Sequence, residues 1–184
     1  MKILITGTSY SIGKEIANKF LSSRHIVIGI DKEPETIHHA NYTHIVADIF
    51  SGELPEIPDV EILINNAGVQ NSGMDIDINL KGTIRVTEKY AIQDKIKSVL
   101  FIASASAQTG AEFPEYAASK GGMVAYMKNT ALRVAEFGAT STICARKILQ
   151  VSIITALSAP VALTLIRTIS LSQVDSFWQW VIEI

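Results

Sequence analysis

The sequence predicts an α/β fold: a doubly wound parallel sheet between helical layers, three layers deep in the order α/β/α. Three observations predict it. Short unbroken apolar runs recur at residues 2–6, 25–30, 43–47, 60–64 and 98–102. Stretches with helical apolar spacing separate several of them, notably 11–22, 75–90 and 116–137. Most of the runs stop in an acid or in a cluster of small polar residues. A strand covered on both faces reads as continuous apolar sequence, and strands alternating with helices mark parallel crossovers. At 184 residues the chain suits one domain, 1–184, with a substantial core.

In chain order, Lys2 to Thr6 is a buried strand. Gly7 to Gly13 is a loop of small residues. Ser11 to Ser22 is a helix, with apolar residues at Ile12, Ile16, Phe20 and Leu21. His25 to Ile30 is the second strand and Thr43 to Ala47 the third, with a polar connection between them that carries Pro34. Ser51 to Pro58, with Pro55 and Pro58, is a loop. Val60 to Ile64 is the fourth strand and ends at Asn65-Asn66-Ala67-Gly68. Asp75 to Tyr90 is a helix. Ser98 to Ile102 is the fifth strand and ends at Ala103-Ser104-Ala105-Ser106. Tyr116 to Phe137 is a long helix closed by Gly138. Ile143 can belong to a sixth strand. Ligands of such sheets bind beyond the carboxyl ends of the strands, so the polar clusters converge on one crevice.

The net charge of −2 and the absence of an arginine cluster argue against nucleic acid. The first apolar run is too short for a signal peptide. A single cysteine, Cys144, excludes an internal disulfide framework and fits the cytoplasm. His25, His38, His39 and His44 lack metal-ligand spacing, so no metal is expected.

Two constellations carry chemistry. In the first, Thr6-Gly7-Thr8-Ser9-Tyr10-Ser11-Ile12-Gly13 joins a strand to a helix, where backbone N–H groups and the helix dipole meet a pyrophosphate. Asp31 ends the second strand. A carboxylate there accepts hydrogen bonds from ribose hydroxyls and repels a 2′-phosphate, which favours NAD over NADP. Lys32 beside it keeps NADP open. Asp48 can bond the adenine amino group or cap a helix, and Ile49 is grouped with it on the cofactor side. In the second, Tyr116 and Lys120 stand four residues apart on one helix face. A nearby ammonium stabilises a phenolate, and a phenol so acidified can exchange a proton with an alcohol oxygen.

With Asn65-Asn66-Ala67-Gly68, Asn79 and Ser104 in that order, the chain resembles the short-chain dehydrogenase/reductase family over residues 1 to about 138. The resemblance implies a Rossmann-like sheet, shortened here on the C-terminal side, and an NAD(P)-dependent oxidoreductase that interconverts a secondary alcohol and a ketone. It implies Tyr116 as general acid/base, Lys120 as its partner and ribose ligand, Ser104 on the substrate oxygen, and Asn79 at a relay water. It implies that Asn66, Ala67 and Gly68 line the cofactor cleft beside Gly7, Thr8, Ser9, Ser11, Ile12 and Gly13. Ser106 is the rival of Ser104. Homodimers or homotetramers are implied through the helices at 75–90 and 116–137, where Met123, Val124, Met127 and Leu132 form either that face or a core stripe.

The chain departs from the family at three places. Ser11 stands where relatives have glycine, and its Cβ crowds the pyrophosphate or forces a costly backbone conformation. The connection from Gly68 to Asn79 is short. After Gly138 the resemblance fades, with no Pro-Gly turn and no evident seventh strand beyond a trial at Val181 to Ile184. Residues 148–166 are uncharged and mostly apolar, and their length suffices to cross a bilayer, which takes about 20 apolar residues. Gln150 and Pro160 argue against a span and for sheet or covering helices. Trp178 and Trp180 read as packing residues. A nucleotide-binding protein without turnover, or a truncated or frameshifted product, are the alternatives to an enzyme.

Overall fold

A computed structural model of the protein describes residues 1–147, 150–156 and 165–169, with side chains through residue 144. Strand β1 (Lys2–Thr6) is buried from Ile3 onward, as its unbroken apolar run requires. Helix α1 (Ser11–Ser22) buries Ile16, Ala17, Phe20 and Leu21, the stripe read from the sequence. The chain continues through β2 (Ile26–Asp31), β3 (Tyr42–Val46) and β4 (Ile62–Asn65). Then come α2 (Thr83–Tyr90), β5 (Ser98–Ser104), the short α3 (Ser106–Thr109), α4 (Pro114–Val134) and β6 (Thr140–Lys147).

Six parallel strands lie in the order β3-β2-β1-β4-β5-β6 and form the greater part of an eight-stranded sheet. The chain runs outward from β1 to β3, then returns to the other side of β1 to build β4, β5 and β6. That reversal opens a crevice beyond the carboxyl ends of β1 and β4. Alternate residues of the central strands feed two cores. Leu4, Leu63 and Phe101 pack on the face of α4 with Met123 and Met127. Ile3, Ile5, Ile62, Ile64, Leu100 and Ile102 pack on the face of α1 with Ile16 and Phe20. The period of two decides which face each side chain joins. Phe101 is fully buried, and truncating it to alanine would cost about 3–5 kcal/mol. Met123 and Met127 are therefore core residues, whereas Leu132 is 71% exposed.

The structure differs from the sequence expectation at three elements. The helix expected from Asp75 is a π-helical stretch, Ile76–Gly82, that passes into α2. Such wide turns cluster at functional sites, and this one carries Asn79. α4 begins at Pro114, because proline at the first turn has φ preset and loses no N–H bond. Its far end tightens into a 3₁₀ turn, Ala135–Phe137, and stops at Gly138 with φ +71°. β6 is followed in the same sheet by β7 (Gln150–Ala156), antiparallel to β6, and by β8 (Leu165–Ile169), antiparallel to β7. Residues 150–156 are thus extended, so the apolar stretch 148–166 is not one continuous helix. Among the described residues no helix is long and apolar enough to cross a membrane. Val181 to Ile184, Trp178 and Trp180 lie outside the described residues.

Candidate active site

The loop after β1 is locked to the loop after β4. Thr6 Oγ1 accepts the N–H groups of Asn66 and Ala67 at 3.0 and 3.1 Å. Asn66 Nδ2 donates to the carbonyls of Thr6 and Gly7 at 3.0 and 2.9 Å. Gly7 sits at φ +74°, and a Cβ there would meet Ala67 Cα at 2.8 Å. A Cβ on Gly13 would overlap the Gly7 carbonyl oxygen and the Asn66 amide. A side chain is excluded at Gly7 and Gly13, so the backbone is bare at those two positions, which close approach of a phosphate requires.

A cleft of about 600 Å³ runs over this backbone. Its walls include Gly7, Ser11, Ile12, Asp31, Asp48, Ile49, Asn66, Ala67 and Gly68. Thr8, Ser9 and Gly13 do not face it. Thr8 is fully buried, with its hydroxyl 2.8 Å from that of Tyr42. Ser9 braces Asp31 from behind: its N–H donates to Asp31 Oδ2 at 2.9 Å and its hydroxyl to the Pro34 carbonyl at 2.9 Å. The Glu33 N–H donates to Asp31 Oδ1 at 3.0 Å. Asp48 turns inward to its own loop, accepting the Phe50 N–H at 2.8 Å and the Ser51 hydroxyl at 3.0 Å. Those bonds hold its carboxyl below the usual aspartate range, against a smaller effect of burial. Ser11 adopts φ +48°, the left-handed region that a Cβ disfavours.

A second cavity of about 570 Å³ adjoins the first and shares Ser11, Ile12, Asn66, Gly68 and Val69 with it. Ser104, Tyr116 and Lys120 line its far end. β5 delivers Ser104, and α4 delivers the other two. Ser106 stands behind Ser104: the two hydroxyl oxygens are 3.0 Å apart, and the Ser106 N–H donates to Ser104 Oγ at 3.2 Å. Lys120 is only 4% exposed, and its Nζ donates to the Ile102 carbonyl at 3.0 Å. That ammonium lies 5.7 Å from the centre of the Tyr116 ring. Asn79 is fully buried. Its Nδ2 donates to the Val69 carbonyl at 2.8 Å and to Ser119 Oγ at 3.1 Å, and its Oδ1 accepts the Val69 N–H at 2.7 Å.

The electrostatics correct one expectation. The phenol is not acidified in this state: burial pushes Tyr116 above its ordinary 10, and the opposing effect of the Ser104 hydroxyl is smaller. Lys120 is itself desolvated, which lowers it from 10.5 to about 8. In this state its ammonium donates to a backbone carbonyl and is not aimed at the phenol oxygen. Asp75, read from the sequence only as the start of a helix, contributes the one opposing influence on Lys120 and keeps it more cationic. Asp75 is 1% exposed and accepts the N–H groups of Asn71 and Ser72 at 2.9 and 2.8 Å. It stands at the cap position of the stretch at 76 yet bonds the turn before it and not that helix, so capping sequence does not reveal its role. Among the described residues no group of His, Cys, Asp and Glu could hold a metal ion.

A family model for short chain dehydrogenase matches residues 44–159, which include Asn66, Asn79, Ser104, Tyr116 and Lys120. The chain belongs to the short-chain dehydrogenase family. The match runs past Gly138, so the likeness continues beyond the last motif visible in the sequence. A Buchnera aphidicola 3-oxoacyl-[acyl-carrier-protein] reductase is 28% identical over 170 residues, covering 76% of this chain and 69% of that one. The BbsD subunit of (2S)-[(R)-hydroxy(phenyl)methyl]succinyl-CoA dehydrogenase from Thauera aromatica is 26% identical, covering 74% of this chain and 68% of that one. A short chain dehydrogenase of Leptospira borgpetersenii, solved with bound NAD+, superposes with TM-score 0.64 at 22% identity, covering 76% of this chain and 68% of that one. This short-chain dehydrogenase therefore spans about two thirds of the length of the relatives it matches.

Proposed function

We propose that the protein is an NAD(P)-dependent oxidoreductase that interconverts a secondary alcohol and a ketone of small size, such as a 3-oxoacyl compound or a sugar alcohol. The observation that carries this reading is the joining of two cavities. One is floored by bare backbone and edged by Asp31, the other is lined by Ser104, Tyr116 and Lys120, and both share Asn66 and Gly68.

The residues fit a nicotinamide dinucleotide. Gly7, Ser11 and Ile12 would lie under the pyrophosphate, and Gly13 lets the loop close behind them. Asp31 would take the adenosine ribose, with Asp48 and Ile49 toward the adenine. Lys32, the cation at that end, lies 4.0 Å from Glu33, which reduces its use for a 2′-phosphate and favours NAD. When bound, the dinucleotide supplies or accepts the hydride at the carbon of the reacting C–O bond.

This chain supplies the rest. Ser104 donates a hydrogen bond to the ketone oxygen. Tyr116, a protonated phenol at neutral pH, gives its proton to that oxygen as the alcohol forms. One hydride and one proton thus convert ketone to alcohol. Lys120, with a value of about 8, is mostly cationic at pH 7 and stabilises the phenolate left behind. Asn79 fixes Val69 and Ser119 around Lys120, and a relay water there would return the proton. In the reverse direction the phenol must first lose its proton, so alcohol oxidation rises with pH while ketone reduction does not. The assembly expected is a homodimer or homotetramer, with Leu132 on the open side of α4.

NADH oxidation against a panel of ketones and 3-oxoacyl thioesters tests the reading. Turnover of at least one member supports it. Tight NADH binding with no turnover would instead favour a nucleotide-binding protein, a reading that the strained Ser11 lends some weight.

A further inference from the structure

The mouth of the catalytic cavity is bridged by two residues from distant parts of the chain. Gln70, in the loop after β4, donates from Nε2 to Glu112 Oε2 at 2.8 Å. Both line the same cavity as Ser104, Tyr116 and Lys120. Glu112 also sits at φ +73°. A non-glycine residue persists in that region when its surroundings hold it there, and such strain gathers at functional positions. The loop before α4 thus fixes a carboxylate over the entrance, four residues before the catalytic tyrosine.

The charge balance at this entrance is one-sided. Among the described residues lining the cavity, Lys120 is the one cation, and it is buried and bonded to the Ile102 carbonyl. Glu112 is exposed at the rim, and Glu115 follows in the first turn of α4. An anion entering here meets negative charge first and finds no free cation on these walls. An uncharged hydroxyl-bearing molecule meets an acceptor on Glu112 and an amide on Gln70, and its hydroxyls can replace the bond between them.

We propose that Glu112 is a specificity-determining residue that makes the cavity favour uncharged polyhydroxylated alcohols and ketones over anionic acyl thioesters. The proposal rests on the oxidoreductase reading. It names the substrate class that this particular entrance admits.

The test compares wild type with Glu112→Gln and Glu112→Lys, as full chains saturated with NAD+, which cannot reduce the titrant. Acetoacetyl-CoA is titrated by calorimetry at low ionic strength. Glu112→Lys should bind it about tenfold more tightly than wild type, with Glu112→Gln between them. The gap should shrink at about 0.5 M salt, where exposed charges are screened. In parallel, kcat/KM for a short polyol such as xylitol with NAD+ should fall about fivefold in Glu112→Lys as the acceptor is lost. Equal acetoacetyl-CoA affinity in all three proteins would overturn the proposal, and so would wild type binding it as tightly as Glu112→Lys. Because the titration needs no turnover, it decides the role of Glu112 even if every substrate fails, an outcome that would sink the oxidoreductase reading separately.

Discussion

The two ends of the cleft are built on opposite plans. The Asp31 end works through backbone. Gly7 and Gly13 leave no room for a side chain, and its one chosen side chain, Asp31, is braced by the N–H groups of Ser9 and Glu33. The Tyr116 end works through side chains on rigid elements: Ser104 on β5, with Tyr116 and Lys120 on α4. The first end must exclude atoms, and the second must place them. Mutations should therefore separate binding from chemistry cleanly, which is the sharpest way to test the comparison.

The largest effect expected is from Tyr116→Phe. Removing the phenolic proton should lower kcat by roughly 10³-fold, within the range for general acid catalysis, and leave NADH affinity nearly unchanged. Asp31→Ala should do the reverse, shifting the NADH to NADPH affinity ratio about tenfold toward NADPH with little change in kcat. Steady-state rates and fluorescence titrations measure both. Turnover that survives Tyr116→Phe would remove that residue from the chemistry.

Next is the buried ammonium. Lys120 falls from 10.5 in the unfolded chain to about 8 in the fold. Burial disfavours the charged form, so its destabilising effect is full below pH 8 and is relieved as pH rises from 8 to 10.5. Across that window the free protein should gain roughly 3 kcal/mol from this residue. Lys120→Met should lack the gain. Urea unfolding of both proteins at each pH isolates it, since other titrating groups cancel in the difference. Equal pH dependence would show that Lys120 is better solvated than its burial implies.

The same contrast explains what could be read from the sequence. β1 and α1 were legible to the residue, because an apolar run and a glycine loop delimit them locally. Asp31, Ser104, Tyr116 and Lys120 were legible because each sits at a strand end or on one helix face. Long-range hydrogen bonds were not. Nothing local announces that Asn79 clamps Val69, that Thr8 turns away to Tyr42, or that Gln70 reaches Glu112 across 42 positions. The π stretch has the same apolar spacing as the α-helix expected there. The antiparallel return from β6 to β7 was hidden because the sequence between them carries no Asn-Gly or Asp-Gly signal of a common hairpin. The acidification expected of Tyr116 failed for a related reason: four-residue spacing brings the ammonium near, but burial and the Ile102 carbonyl decide its effect.

A smaller effect tests the clamp between the two ends. Asn66 is shared by both cavities and holds the Thr6 and Gly7 carbonyls. Asn66→Ala leaves two carbonyls without that donor and should cost about 2 kcal/mol of stability. Because the loop then loosens under both cavities, NADH affinity and kcat should fall together, unlike the separable losses at Asp31 and Tyr116. Loss confined to one of them would place Asn66 in a single half.

The smallest effect concerns the residue where the backbone plan is broken. Ser11 lies in both cavity walls at φ +48°. A left-handed conformation costs an L-residue about 1–2 kcal/mol, and glycine avoids that cost. Glycine also gives the unfolded chain more freedom, which returns roughly 0.4–1 kcal/mol. Ser11→Gly should therefore stabilise by only about 0.5 kcal/mol net and raise Tm by about 1–2 °C. Ser11→Ala keeps the Cβ and loses only the hydroxyl, so it should match wild type in Tm. NADH affinity divides the two explanations of the serine. If the Cβ crowds the pyrophosphate, Ser11→Gly binds NADH more tightly and Ser11→Ala does not. If the hydroxyl holds a phosphate oxygen, both variants bind more weakly, and the backbone end of the cleft contains one side chain that acts in the manner of the other end.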